Sequence, residues 1–349
     1  MKHPTIRDVA SRAGASPASV SRHLAKSVSL PPAMAKRIDE AIADLGYRPN
    51  VMARRLSRGA SEIIGFVTSD IASPFFAAIA SAAEEEAERF GYSVMICNTR
   101  NQIDRELQYI AKIADAHFDG LIFLTNHVDD GRLRDAVNQA GKIVLLDEDV
   151  PGARAQRFFI DNFRGGYAAA THLIEAGHRR IGHITGPMGL LSVNERLAGF
   201  RRAMAEAGLE VEEALIKSGT YDTVYGGIAF REICESGDLP TAIMTTSDHL
   251  ALSIYQAARE LALRIPEDVS IVSFDDLPFV GFLDPPLTTV RQPTAELGRR
   301  GVQALLSKTQ EGEAIERLPV QLIDRGSVAR IRAAGERVAP RRPKLEKWR

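Results

Sequence analysis

Apolar residues recur at helical spacing over the first part of the chain and gather into short β-rich runs after it. In TIRDVASRAG, Ile6, Val9, Ala10 and Ala13 share one helical face. Thr5 stands at the N-cap, Asp8 three residues on makes a loose capping box, and Gly14 ends the helix. Ser16 then caps a second helix, with Pro17 at the favoured first position and Val20 and Leu24 facing inward. A third helix is predicted from about Pro32 to Leu45, with Met34, Ile38, Ala41, Ile42 and Leu45 in register and Gly46 as its stop. Helix, glycine turn, helix is the layout of a helix-turn-helix, although any small three-helix core shows similar spacing. The second helix adds a polar outer face of Ser16, Ser19, Ser21, Arg22 and His23. Hydroxyls and a guanidinium can bond phosphates and base edges.

From Glu62 onward the period changes. IIGFVT, SVMICN, GLIFL and KIVLLD read as strands, separated by helices over about Phe75–Phe90, about Asp104–Ala116 and the segment before KIVLLD. The theme restarts after FFID at Asp161, with helix 164–176, RIGHIT, helix 195–207, a short strand near Leu215, helix 224–236, AIMTT, helix 248–262 and SIVSF. LTTVRQP and a helix after Thr294 are left over. The fold class is therefore α/β, with two doubly wound parallel-sheet halves in sequence behind a small helical head. Open sheets of this kind bind ligands at the carboxyl ends of their strands, so two facing halves would enclose a cleft.

The length of 349 residues suits two or three domains. The net charge of −1 conceals an asymmetry: residues 1–60 carry 11 Lys/Arg against 4 Asp/Glu, residues 61–331 carry 26 against 39, and the last 18 carry 7 against 2. A basic head on an acidic body suggests that the small module meets a polyanion. The start lacks an apolar signal segment and no run approaches ~18 apolar residues, so the cytoplasm is expected and a membrane is not. Cys97 and Cys234 are too few for a disulfide frame or a zinc site. The tail 332–349, rich in Arg, Lys and Pro, reads as disordered, and it lacks the apolar heptads of a tetramerising coiled coil.

No G-x-x-x-x-G-K-[ST], G-x-S-x-G or H-E-x-x-H occurs, and no G-x-G-x-x-G follows a strand. His172, His178 and His183 span a helix end and a strand, so they share no face for a metal. No enzyme activity, metal or cofactor is expected. The polar residues at predicted strand ends are more informative: Asp147 after KIVLL, Ser247 after AIMTT and Asp275 after SIVSF, with Arg196 in the helix NERLAGF. Each aspartate alone is more often a helix cap than a ligand contact. Gathered in one cleft, carboxylates accept and an arginine donates, which suits vicinal hydroxyls. Phe75, Phe76 and Tyr221 would supply flat apolar walls.

One stretch fits neither half. In PNVMARRLSRGA, residues 49–60, Asn50 can cap and Gly59 can stop a helix of roughly two turns, with Met52 and Leu56 on one face among Arg54, Arg55 and Arg58. An isolated helix needs ~12–15 residues in water, so the segment is either a basic linker or a device that orders against a partner.

TIRDVASRAGASPASVSRHL, IDEAIADLGYRPNVMARRL, SPFF, GHRRIGHITGP, ERLAGFRRAM and FDDLPFVGFLDPPLTTVRQP together resemble the lac repressor family of bacterial transcription regulators, over about residues 4–330. The resemblance implies a helix-turn-helix headpiece (1–48), a hinge helix (49–60) and two core subdomains like those of periplasmic sugar-binding proteins. These are an N-terminal one (61–161 and 293–323) and a C-terminal one (162–292 and 324–331), with crossings near Asp161, Gln292 and Asp324. It further implies a homodimer on a pseudo-palindromic operator, with a small-molecule effector in the cleft controlling affinity.

By resemblance, Pro17, Ala18 and Arg22 hold the base-reading positions. Pro17 and Ala18 cannot donate hydrogen bonds, so Arg22 carries most direct readout. Thr5, Ser16, Ser19 and Ser21 are phosphate candidates, and Asn50, Ala53 and Leu56 are hinge contacts, with Leu56 as the wedge at the operator centre. Pro31-Pro32 stands where the family usually caps its third helix. Asp147, Arg196, Ser247, Asp275 and Gln292 fall on effector positions, with Tyr221 on an aromatic one and Arg100 at the cleft edge. A sugar or sugar derivative is the expected effector. Arg196 would equally welcome a sugar acid or phosphate, and a purine is less suited. A sugar receptor without a regulatory role would need a signal peptide and no head, and an α/β enzyme would need a catalytic constellation.

Overall fold

The structure is a computed structural model that describes residues 4–24, 28–47, 60–237, 239–307 and 314–331. The expected hinge helix and the basic tail lie outside the described residues. Two compact units emerge, one up to Ser61 and one from Glu62.

The first unit holds α1 (Ile6–Ala13), α2 (Pro17–Leu24) and α3 (Pro32–Leu45). Thr5 N donates to Asp8 Oδ2 at 2.7 Å while Asp8 N reaches Thr5 Oγ1 at 3.4 Å, a complete capping box. Gly14 takes the left-handed conformation (φ 59°) that turns the chain into α2, where Ser19 N donates to Ser16 Oγ at 3.1 Å. Pro32 opens α3 at a position whose N–H would lack a helical partner anyway, so the double proline starts the helix without a side-chain cap. Val9, Ala10, Ala13, Val20, Ile38 and Ala41 are buried together, with Leu24, Met34 and Leu45 packed around them.

The second unit contains β1 (Ile63–Thr68), α4 (Pro74–Arg89), β2 (Ser93–Asn98), α5 (Ile103–Ala111), β3 (Gly120–Phe123), α6 (Arg132–Ala140), β4 (Ile143–Leu146) and β5 (Gln156–Ile160). There follow α7 (Asn162–Glu175), β6 (Ile181–Thr185), α8 (Leu191–Glu206), β7 (Ile216–Ser218), α9 (Tyr225–Glu235), β8 (Ala242–Thr245), α10 (Asp248–Glu260) and β9 (Ser270–Asp275). β10 (Thr288–Arg291), α11 (Thr294–Leu306), β11 (Ile315–Leu318) and β12 (Gln321–Ile323) complete it. One six-stranded sheet runs β11-β5-β4-β3-β1-β2 and is parallel throughout. The other runs β12-β10-β9-β8-β6-β7, with only β12 antiparallel. Each keeps the doubly wound order 2-1-3-4-5, which puts its binding crevice at the carboxyl ends of the strands.

Burial explains the strand sequences. In the first sheet Ile64, Phe66, Ile122, Val144 and Leu146 join the core beneath α4 and α11, while Val67, Leu121, Phe123, Ile143 and Leu145 join the cluster beneath α5 and α6. Helices on both faces leave the strands apolar on both sides, hence the continuous runs IIGFV and KIVLL.

The third crossing differs from expectation. β11 pairs with β5 in the first sheet and β12 with β10 in the second, so the chain changes sheets between Leu318 and Gln321, not at Asp324. Both strands are half-exposed edges whose polar alternation hid them in the sequence. The helix expected to reach Ala116 stops at Ala111, where 110–116 tighten into successive i→i+3 turns ending at Ala116 with φ 54°. Among the described residues no helix is long and apolar enough to cross a membrane.

Candidate functional site

Two surfaces carry the candidate chemistry. On the first unit, α2 exposes Ser16, Pro17, Ala18, Ser21 and Arg22, with Ser19 half-buried and Val20 buried beneath. Arg22 Nε donates to the Ala18 carbonyl at 3.2 Å, which lays the guanidinium stem along the helix. Three of the phosphate candidates already serve the fold. Thr5 Oγ1 donates to Asp8 at 2.8 Å, and Ser16 Oγ lies 2.9 Å from Ser19 Oγ. His23, on the same helix, sits 2.7 Å from Asp39 and ties α2 to α3. Asn50, Ala53 and Leu56 lie outside the described residues.

The second unit holds a cavity of about 400 Å³. Phe75, Phe76, Asp147, Arg196, Tyr221, Ser247, Asp275 and Gln292 all line it. All but Arg196 sit where a strand gives way to the next element. Phe75 and Phe76 open α4 after β1, Asp147 follows β4, Arg196 lies on α8 after β6, and Tyr221 follows β7. Ser247 caps α10 after β8, Asp275 ends β9, and Gln292 follows β10. Arg100 is exposed and outside the lining.

Arg196 is buried at 4% exposure and tightly held. Its Nε donates to Asn162 Oδ1 at 2.9 Å, its Nη1 to the Thr246 carbonyl at 2.6 Å, and its plane lies 3.8 Å from the Phe274 ring centre. Glycines make this possible. A Cβ on Gly166 of α7 would meet the Arg196 carbonyl oxygen at 2.2 Å, and one on Gly199 of α8 would meet the Phe163 carbonyl oxygen at 2.2 Å. The two helices therefore press backbone to backbone, and Asn162 comes within reach of the guanidinium.

Asp275 accepts from Ser247 Oγ at 3.0 Å and from Gln292 Nε2 at 2.6 Å, and lies 3.9 Å from Arg196. Asp147 and Asp275 adopt φ of 70° and 115°, a region that costs a non-glycine residue about 1–3 kcal/mol and is characteristic of functional sites. Burial pushes the Asp147 carboxyl up to about 6, against the pull of Arg196 and with the push of Asp275. Burial also raises Asp275, opposed by Arg196 and by its bonds from Ser247 and Gln292. The Tyr221 hydroxyl is pushed up to about 12 by burial, and its ring lies flush on Gly186, where a Cβ would come within 2.2 Å. Phe75 and Phe76 meet edge to face with ring centres 5.2 Å apart.

The sequence reading missed Glu148, Ser192, Asn126, Thr246, Asp222 and His249, which also line the cavity. Glu148 matters most. Its carboxyl accepts from Ser192 N at 3.3 Å and from Ser192 Oγ, joining the end of β4 to the first turn of α8 across the cavity. Burial, then Asp147, pushes it up to about 8. Its neighbour in LLDED was the available signal.

The three histidines are held by the fold. His178 faces Thr241 Oγ1 at 2.9 Å and the Ala329 carbonyl at 3.1 Å, His183 stacks on Phe200 at 5.0 Å, and His172 lies 3.4 Å from Asp324. Among the described residues no group of His, Cys, Asp or Glu could hold a metal ion.

Comparison with known proteins agrees with both surfaces. Residues 5–50 match the bacterial regulatory proteins of the lacI family, and residues 170–328 match the periplasmic binding protein-like domain. The HTH-type transcriptional repressor PurR of Serratia proteamaculans (strain 568) is 34% identical over 333 residues, covering 93% of this chain and 97% of that protein. A lac repressor dimer bound to operator and the anti-inducer ONPF superimposes with a TM-score of 0.84 at 26% identity, over 94% of this chain and 100% of that one. The transcriptional regulator CelR in complex with cellobiose gives a TM-score of 0.70 at 31% identity, over 93% of this chain and 99% of that one. With a helix-turn-helix unit, a two-sheet core enclosing a polar cavity and full-length relatives of this kind, the chain belongs to the lacI family of bacterial regulatory proteins.

Proposed function

We propose that this chain is a transcriptional repressor. It binds a pseudo-palindromic operator as a homodimer through α2 and the segment 49–60, and a sugar or sugar derivative in the core cavity sets its affinity for DNA. The observation that carries the reading is the cavity itself, about 400 Å³ at the carboxyl ends of both sheets, lined by carboxylates, two amides, hydroxyls, one arginine and aromatic walls. Asp147, Arg196, Ser247, Asp275 and Gln292 are its polar contacts to the effector, and Phe75, Phe76 and Tyr221 its apolar ones. The repressor dimer solved on operator DNA and the regulator solved with cellobiose support both halves of the reading.

On the DNA side, Arg22 reads a base edge, while Ser16, Ser19, Ser21 and Thr5 flank phosphates, and Pro17 and Ala18 contribute shape or contact a thymine methyl. A basic head gives affinity that falls steeply with salt. The effector changes operator affinity to the extent that it prefers one arrangement of the core.

Mobility shift with DNA from upstream of the neighbouring genes tests the first half. Arg22→Ala should weaken specific binding roughly 5–150-fold, the equivalent of ~1–3 kcal/mol for a bidentate base contact. Unchanged binding refutes the assignment. A thermal-shift screen of sugars tests the second half, since a bound ligand raises stability. A full shift retained by Asp275→Ala refutes the contact set.

A further inference from the structure

Which ligand charge the cavity accepts follows from the hydrogen-bond inventory of its lining, given that it is the effector site proposed above. Five carboxyl groups face it, those of Asp70, Asp147, Glu148, Asp222 and Asp275, against the guanidinium of Arg196 and the imidazole of His249. Arg196 is the group that would invite an anion, but its Nε and Nη1 are already bonded to Asn162 and Thr246 and its face is covered by Phe274, which leaves Nη2 as its free end against five carboxyls. Both oxygens of Asp275 accept from Ser247 and Gln292, and both of Glu148 from Ser192.

Two buried side-chain atoms of the lining are left without a partner: Asp147 Oδ1 and Gln292 Oε1. Their residues are 7% and 5% exposed. Both atoms are acceptors. What the protein leaves for the ligand to supply is therefore hydrogen-bond donors, at a place where negative charge is in excess.

We propose that the ligand is an amine-bearing polyol, an amino sugar in its ammonium form, whose nitrogen donates to Asp147 Oδ1 and whose hydroxyls meet Gln292 and Asp275. A hydroxyl would satisfy the orphaned acceptors but leave the buried carboxylate with Arg196 as its counter-charge, whereas an ammonium adds a second one in a charge-assisted bond. Burial holds both carboxyls above their ordinary range, with Asp275 adding to the push on Asp147 and Asp147 to that on Glu148, and a cation beside them offsets the like-charge part. Sugar acids and sugar phosphates meet the opposite field.

Calorimetry on the full chain decides it. Glucosamine, galactosamine and mannosamine are compared with their N-acetyl forms, the parent hexoses, hexose 6-phosphates and uronic acids. At least one amine should bind 10-fold or more tighter than both its N-acetyl form and its parent hexose, and Asp147→Asn should reduce that preference to within about threefold. Asparagine tolerates the left-handed backbone at this position, so the variant keeps the turn. A parent hexose or sugar acid binding as tightly as its amine overturns the charge assignment but leaves the small-molecule cavity standing. Silence of the whole panel overturns both.

Discussion

Replacing Glu148 by Gln should make the unliganded core more stable at pH 8, although it removes a side chain that spans the cavity. Glu148 is 2% exposed, and burial together with Asp147 raises it from 4.5 to about 8. The fold thus binds the Glu148 proton more tightly than the unfolded chain does. The stabilising contribution of the neutral carboxyl is complete below about 4.5 and is lost as pH rises through about 8. Between pH 5 and pH 8 that loss amounts to roughly 2–4 kcal/mol at ~1.4 kcal/mol per pH unit. A glutamine has the shape of the neutral acid and still accepts from Ser192, so it carries no such dependence. Urea unfolding followed by far-UV circular dichroism, at fixed protein concentration and without ligand, should show the two proteins within about 1 kcal/mol at pH 5. At pH 8 the variant should lead by roughly 2–4 kcal/mol. If the variant loses stability in parallel with the parent, or is the weaker at pH 8, Glu148 is not held as a neutral acid.

Two further substitutions probe other levels of the structure. Gly166→Ala would force the α7 and α8 backbones apart, because its Cβ would fall 2.2 Å from the Arg196 carbonyl oxygen. Thermal unfolding should register a loss of about 1–3 kcal/mol, as overpacking usually gives, and ligand binding should weaken as Arg196 shifts. Leu56→Ala should weaken specific operator binding far more than binding to unrelated DNA, measured by competition. Equal losses would reduce the segment to a charged tether.

Long-period features were legible from the sequence. Thr5, Gly14, Ser16 and Gly46 cap or end the head helices where spacing placed them, and the apolar runs mark the inner strands because helices cover both sheet faces. The short edge strands Ile315–Leu318 and Gln321–Ile323 were not legible, since half-exposed edges carry mixed polarity and gain their identity from a distant partner strand. The cavity residues at strand ends could be listed individually, but not their state. The positive φ of Asp147 and Asp275, the engagement of Arg196 by Asn162 and Thr246, and the Glu148–Ser192 link all depend on contacts between residues far apart in the chain. Local spacing encodes none of these.

On the proposed function, the helix-turn-helix unit and the cavity act as one coupled switch. Fluorescence anisotropy of a labelled upstream duplex, titrated with the full chain at fixed salt, reads it directly when repeated with a saturating amount of a sugar that the thermal screen shows to bind. Coupling of ~1–3 kcal/mol corresponds to a change of roughly 5–150-fold in operator affinity, in either direction, and Asp275→Ala should abolish the change while still binding DNA. An operator affinity that is identical with and without the bound sugar would contradict the account.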